Sequence, residues 1–163
     1  MKKLLILLLF IPFSVKSQVD ASLGMSYFIT DNGGASNFGM NVGIQMKNFY
    51  YNLSTNFTTD NGEYTENPII GTPYKKGMLC FDIGYGIPVD KFRKFKFEVI
   101  PYIGIIWTKN VYNINNKIYN INGDNLFDIG IMGKYYFNDR IGCMVGFGMN
   151  EVRISVCVNL VEK

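Results

Sequence analysis

The residues able to do chemistry are few, and the gaps among them narrow the field first. The chain has no histidine, which removes Ser-His-Asp and Cys-His nucleophilic schemes and every His-ligated metal centre together. Cys80, Cys143 and Cys157 are an odd number without CxxC spacing, so no zinc site or disulfide is expected and the three read as small hydrophobic fillers. What remains is a set of charges in otherwise uncharged surroundings: Asp82, Lys96, Glu98, Asp128, Lys134 and Arg153. Held together out of water, such groups form a salt-bridge plug, a gate in a narrow ion path, or a proton-active acid pair. The plug is the plainest of the three. The choice depends on the elements that hold these residues.

Those elements read as strands. The 163 residues suit one domain, and 17 glycines, 13 phenylalanines and 11 tyrosines against five prolines favour strands and tight turns. Eight segments alternate with a period of two. Val19–Thr30 sets Ala21, Leu23, Met25, Tyr27 and Ile29 against Asp20, Ser22, Gly24 and Ser26. Phe38–Met46, Phe49–Thr58, Met78–Val89 and Phe95–Thr108 continue the pattern, the last with Phe97, Ile103, Ile105 and Trp107 opposite Lys96, Glu98, Tyr102 and Gly104. Leu126–Phe137, Ile141–Met149 and Val152–Leu160 complete it. Between them stand short turns at Asp31–Ala35, Lys47-Asn48, Asp90–Lys94, Asn138–Arg140 and Asn150-Glu151, and two long connections, Asp60–Pro73 and Asn110–Gly123. The Ile/Tyr alternation inside the second connection is also that of a strand.

The composition of the two faces sets which is inside. A soluble sandwich or lipocalin-like barrel carries Lys, Glu and Asp on its outer face. Here the polar face is mostly Gly, Ser, Thr and Asn, while the bulky face is nearly free of charge. That inversion suits a membrane barrel with a narrow lumen, and strands of about ten residues are long enough to span.

Met1–Ser17 reads as a secretory signal, with Lys2 and Lys3 before the apolar run Leu4–Phe13 and a cleavage site at Val15-Lys16-Ser17. Lys2, Lys3 and Lys16 account for the whole formal charge of +3. The remainder is neutral and lacks the basic footprint of a nucleic-acid binder.

In these features Gln18–Lys163 resembles the small eight-stranded outer-membrane barrels of Gram-negative bacteria, the OmpA/OmpX type. The resemblance implies an all-β fold, an eight-stranded antiparallel up-and-down transmembrane β-barrel, inserted into outer-membrane lipid by the barrel assembly machinery. With a periplasmic N-terminus, Asp60–Pro73 and Asn110–Gly123 lie outside, where they could meet an extracellular or envelope protein. Aromatic girdles follow: Tyr51, Tyr85, Phe95, Phe97, Tyr135 and Phe137 at one rim, and Tyr27, Phe38, Phe57, Trp107, Phe127 and Phe147 at the other. The ending Asn159-Leu160-Val161-Glu162-Lys163 departs from the family, which usually closes on an aromatic residue; Leu160 would serve in its place. Lipid-modifying barrels rely on a catalytic histidine, so no enzyme, cofactor or metal is expected. The expected role is structural or surface-interacting with a filled lumen; a narrow pore, or a soluble calyx for an apolar ligand, are the alternatives. Glu98 and Lys134 share the polar face at similar depth on adjacent strands, which predicts that they interact, with Lys96 and Asp128 completing the network. The Asn52-Leu53-Ser54 and Asn56-Phe57-Thr58 sequons fall inside a strand and read as chance.

Overall fold

The computed structural model describes residues 19–29, 37–56, 63–64, 73, 75–89 and 96–160. The expected signal segment, most of Asp60–Pro73, Phe57 and Phe95 lie outside them. The described residues form strands β1 (Val19–Phe28), β2 (Phe38–Met46), β3 (Phe49–Asn56), β4 (Glu63–Tyr64), β5 (Lys75–Tyr85), β6 (Ile87–Pro88), β7 (Lys96–Ile114), β8 (Lys117–Tyr136), β9 (Ile141–Gly148) and β10 (Glu151–Asn159). Eight of these close a barrel in the order β1-β2-β3-β5-β7-β8-β9-β10, every neighbouring pair antiparallel. The seam joins β10 to β1 from Asp20↔Asn159 to Phe28↔Glu151, and the Leu160 amide donates to the Val19 carbonyl at 2.8 Å. Closure leaves neither strand a free edge. The fold is therefore the eight-stranded antiparallel barrel that the alternation predicts.

The alternation is physical. In β5, Cys80, Asp82 and Gly84 point into the lumen while Leu79, Phe81, Ile83 and Tyr85 face out. The outer side chains are large and uncovered: Ile154 is 62% exposed, Ile103 56% and Val42 53%. Not every apolar residue is outside. Phe28, Met78, Cys80 and Ile106 pack as one inner cluster, and Tyr50, Ile100, Tyr102, Met132, Tyr136, Met144 and Cys157 as another. The two-face reading assigned most of these to neither side. Met46, expected outside, is buried beside the Lys47-Asn48 turn.

Two connections differ from expectation. Asn110–Gly123 is no loop: it is the outer half of the β7–β8 hairpin, paired down to Ile114↔Lys117. Asn115 and Asn116 turn it with φ of 51° and 62°, both left-handed, as a two-residue primed turn requires and as asparagine tolerates. The Val/Ile/Tyr alternation there outweighs the asparagine content. A register shift between Trp107 and Lys109 marks where the extension begins, and β4 adds to it in parallel at Tyr119 and Asn120.

The last hairpin is the other case. It turns at Met149-Asn150, and Glu151 opens β10 as a fully buried residue. Cys143 therefore stands opposite Val156, two rungs from the Val158 that a turn at Asn150-Glu151 would place there. The faces are unchanged by this even shift: Cys157 is buried, Cys143 is on the outer side, and Cys80, Cys143 and Cys157 are all free thiols.

Candidate functional site

The lumen holds two layers of charge, each built by strands that bring opposite sides of the barrel together. Near the rim that carries the Lys47-Asn48 turn, Asp20 and Gln45 are register partners on β1 and β2, and Glu98 and Lys134 on β7 and β8. The two pairs meet across the interior. Lys134 Nζ donates to Asp20 Oδ2 and to Gln45 Oε1, each at 2.6 Å, and lies 3.4 Å from Glu98 Oε2. Gln45 Nε2 donates to Glu98 Oε2 at 3.0 Å. The ammonium also stands 4.9 Å from the centre of the Tyr136 ring, close enough for cation–π attraction. The Lys134 side chain is 1% exposed and that of Glu98 24%, so the layer opens slightly on the Glu98 side.

The second layer is sealed. Arg153 projects from β10 to β5, the strand directly across the ring of eight, where its Nη1 meets Asp82 Oδ2 at 2.7 Å. Its Nη2 meets Glu151 Oε2, two residues away on the same strand, at 2.9 Å. All three side chains are wholly buried. Asn52 Nδ2 donates to Asp82 Oδ2 at 3.0 Å, Tyr50 OH to Asn52 Oδ1 at 3.1 Å, and the guanidinium lies 4.6 Å from the Tyr102 ring centre. Ser155 and Asn41 continue the polar lining through Ser26.

Asp128 belongs to this second layer, without an ion-pair partner among the described residues. Its Oδ1 accepts the Asn150 backbone N–H at 2.8 Å, and the Tyr102 hydroxyl stands beside its Oδ2 as a neutral donor. Asp82, Gly104 and Asp128 occupy one register row across β5, β7 and β8. A Cβ on Gly104 would collide with Asp82 Oδ1, so the glycine is what lets that carboxylate lean over the middle strand. Cys80 donates its Sγ–H to the same Oδ1 at 3.1 Å. Cys80, Asp82 and Asp128 together offer one ligand atom each within 4.8 Å of one another, all buried.

Of the residues picked out in sequence, Glu98 and Lys134 lie 3.4 Å apart in one layer, and Asp82 and Arg153 lie 2.7 Å apart in the other. Lys96 sits opposite Tyr136 on β7, and its side chain lies outside the described residues. Sequence reasoning missed two charged participants, besides the neutral Gln45, Asn52 and Tyr50. Asp20 was on the polar face of the first segment, and its isolated charge was a usable signal. Glu151 was hidden by the placement of the last turn. Asn52 and Asn56, the sequon asparagines, are both turned inward and buried.

No family model matches the chain, and no curated protein does. Among solved structures it is similar to the crystal structure of Neisserial surface protein A (NspA), with a TM-score of 0.43 and 10% identity over 88% of this chain and 97% of that one.

Proposed function

We propose that this chain is an integral outer-membrane β-barrel protein of a Gram-negative cell envelope. Its role is structural or surface-interacting, and its lumen is closed by side chains. One observation carries the reading: a continuous outer face of uncovered Leu, Ile, Val, Phe and Met on all eight barrel strands, with carboxylates, amides and the arginine inside. In water such a surface far exceeds the apolar patches that soluble monomers tolerate; in a bilayer it is the expected lining against lipid. Edge-to-face pairs at the rims support the placement. Phe49–Tyr85 and Tyr135–Phe137 lie at one end and Tyr27–Phe38 at the other, with ring centres 5.5, 5.4 and 5.0 Å apart, as interfacial girdles would lie.

The alternatives fit less well. A soluble calyx needs an apolar interior and a polar exterior, the reverse of what is seen. A pore needs a water path, and both the Arg153 strut and the Phe28, Met78, Cys80 and Ile106 cluster stand across it. The β7–β8 hairpin, with its tip at Asn115 and Asn116, is the described surface offered to an extracellular or envelope partner, and the Asp60–Pro73 segment is the second candidate by sequence. The test is fractionation of the expressed full chain. Extraction that requires detergent, with a folded form migrating differently before and after boiling, supports the proposal. A chain soluble without detergent overturns it.

A further inference from the structure

The second lumen layer has more negative charge than its own side chains answer. Asp82, Asp128 and Glu151 are each fully buried, and the guanidinium of Arg153 is the one cation placed among them by the described residues. A carboxylate buried without a partner is costly, and such groups normally pair or bind metal. Arg153 engages Asp82 and Glu151, which leaves Asp128 as the carboxylate with no ion-pair contact among the described residues. Its oxygens meet neutral donors, the Asn150 N–H at Oδ1 and the Tyr102 hydroxyl beside Oδ2, and the residue is 0% exposed.

The surroundings of Oδ2 resemble a socket. A Cβ on Gly148 would fall 2.5 Å from Asp128 Oδ2 and would also collide with the Tyr102 hydroxyl. One carboxylate oxygen each of Asp82 and Asp128 and the Cys80 sulfur lie within 4.8 Å of one another. One sulfur and two carboxylates, each a ligand type of divalent transition metals, are thus gathered from β5 and β8, strands separated by β7 alone. Cys80 is itself part of the apolar cluster with Phe28, Met78 and Ile106, which keeps water from one side of the group. We propose that Cys80, Asp82 and Asp128 form a binding site for a single thiophilic divalent cation of the zinc class.

Binding replaces the Sγ–H···Oδ1 hydrogen bond with two metal bonds. The thiol proton leaves to solvent, and the ion's two positive charges answer the thiolate and the Asp128 carboxylate. Asp82 keeps its pairing with Arg153 through Oδ2 while Oδ1 turns to the ion. No histidine is required. The cysteine and aspartates are invisible as a motif because β7 lies between them; only the β5–β7 and β7–β8 registers together set them side by side. The site depends on the barrel interior and not on what surrounds the barrel.

Cadmium is the probe, because a cadmium–thiolate bond adds near-ultraviolet absorbance. The full chain, folded in detergent micelles with reduced thiols and either with or without cadmium, is desalted and assayed for metal. Wild type should retain one ion per chain and show the thiolate band. Cys80→Ser should lose the band, and Asp128→Asn should bind at least about tenfold more weakly, a loss no smaller than that from disturbing an outer-shell partner. Cys157→Ser and Cys143→Ser should retain both signals. Gel migration before and after boiling establishes that each variant is folded, and a metal-induced rise in the unfolding temperature, absent from Asp128→Asn, gives a second readout. Folded wild type that retains no ion overturns the proposal. So does an ion retained equally by Cys80→Ser and Asp128→Asn, which would mark adventitious surface binding.

Discussion

Arg153 spans the lumen as a strut, and its removal isolates two carboxylates at once. Arg153→Met should lower the unfolding midpoint in urea by the cost of breaking a wholly buried pair, about 3–5 kcal/mol. Adding Asp82→Asn and Glu151→Gln should recover much of it, because the penalty belongs to the orphaned charges rather than to the missing arginine. The Lys134 layer should respond unequally. Lys134→Met strands Asp20, whose side chain is 5% exposed, whereas Glu98 is 24% exposed and keeps its hydrogen bond from Gln45. Glu98→Gln should therefore cost less than Lys134→Met in the same urea titration. The double mutant should fall short of the sum, since the two residues share one network. Strict additivity would mean that the 3.4 Å approach carries no coupling.

At the scale of the element, the β7–β8 hairpin carries its strain at its tip. Asn115 and Asn116 both adopt left-handed backbone, which a β-branched residue resists by roughly 1–2 kcal/mol. Asn116→Val should loosen the tip and speed proteolysis between Ile114 and Lys117, with the barrel's boiling-dependent migration unchanged; Asn116→Gly should leave cleavage at the wild-type rate. Protease added to intact cells should enter at this tip or in Asp60–Pro73 before any barrel strand. Cleavage confined to Asp90–Lys94 or Asn138–Arg140 would reverse the topology. The strands also explain what the sequence could disclose. A period of two labels every residue as inner or outer, so the faces of Asp82, Glu98, Lys134 and Arg153 were legible. It is indifferent to an even slip, so the rung was not: moving the last turn by one residue at each side left Cys143 facing out but displaced its partner from Val158 to Val156. The same displacement concealed Glu151. The gathering of Cys80, Asp82 and Asp128 was beyond reach for a related reason, since it depends on the β5–β7 and β7–β8 registers together.

For the whole molecule the outer face decides where the barrel can reside. Ile105 lies midway along β7 with its side chain 43% exposed on the outer wall. Ile105→Arg should reduce the yield of membrane-inserted, heat-modifiable protein, at a cost of about 2–4 kcal/mol if the residue sits near the bilayer midplane. An unchanged membrane yield would contradict the lipid-facing assignment. Planar-bilayer recording on wild type should give no steady conductance, because the Arg153–Asp82 pair and the apolar cluster both bridge the lumen. A stable open current would instead favour the narrow-pore reading.

The seam between β10 and β1 has a kinetic consequence. Its rungs, from Asp20↔Asn159 to Phe28↔Glu151, join residues separated by nearly the whole described chain. The loop-closure entropy for those contacts is the largest in the molecule, and high contact order slows folding. Until the seam forms, β1 and β10 each present a bare ladder of amides and carbonyls to any neighbour, including another copy of the chain. An unsealed sheet is thus the species most open to domain exchange, and a catalyst of assembly would act best by holding these two strands together.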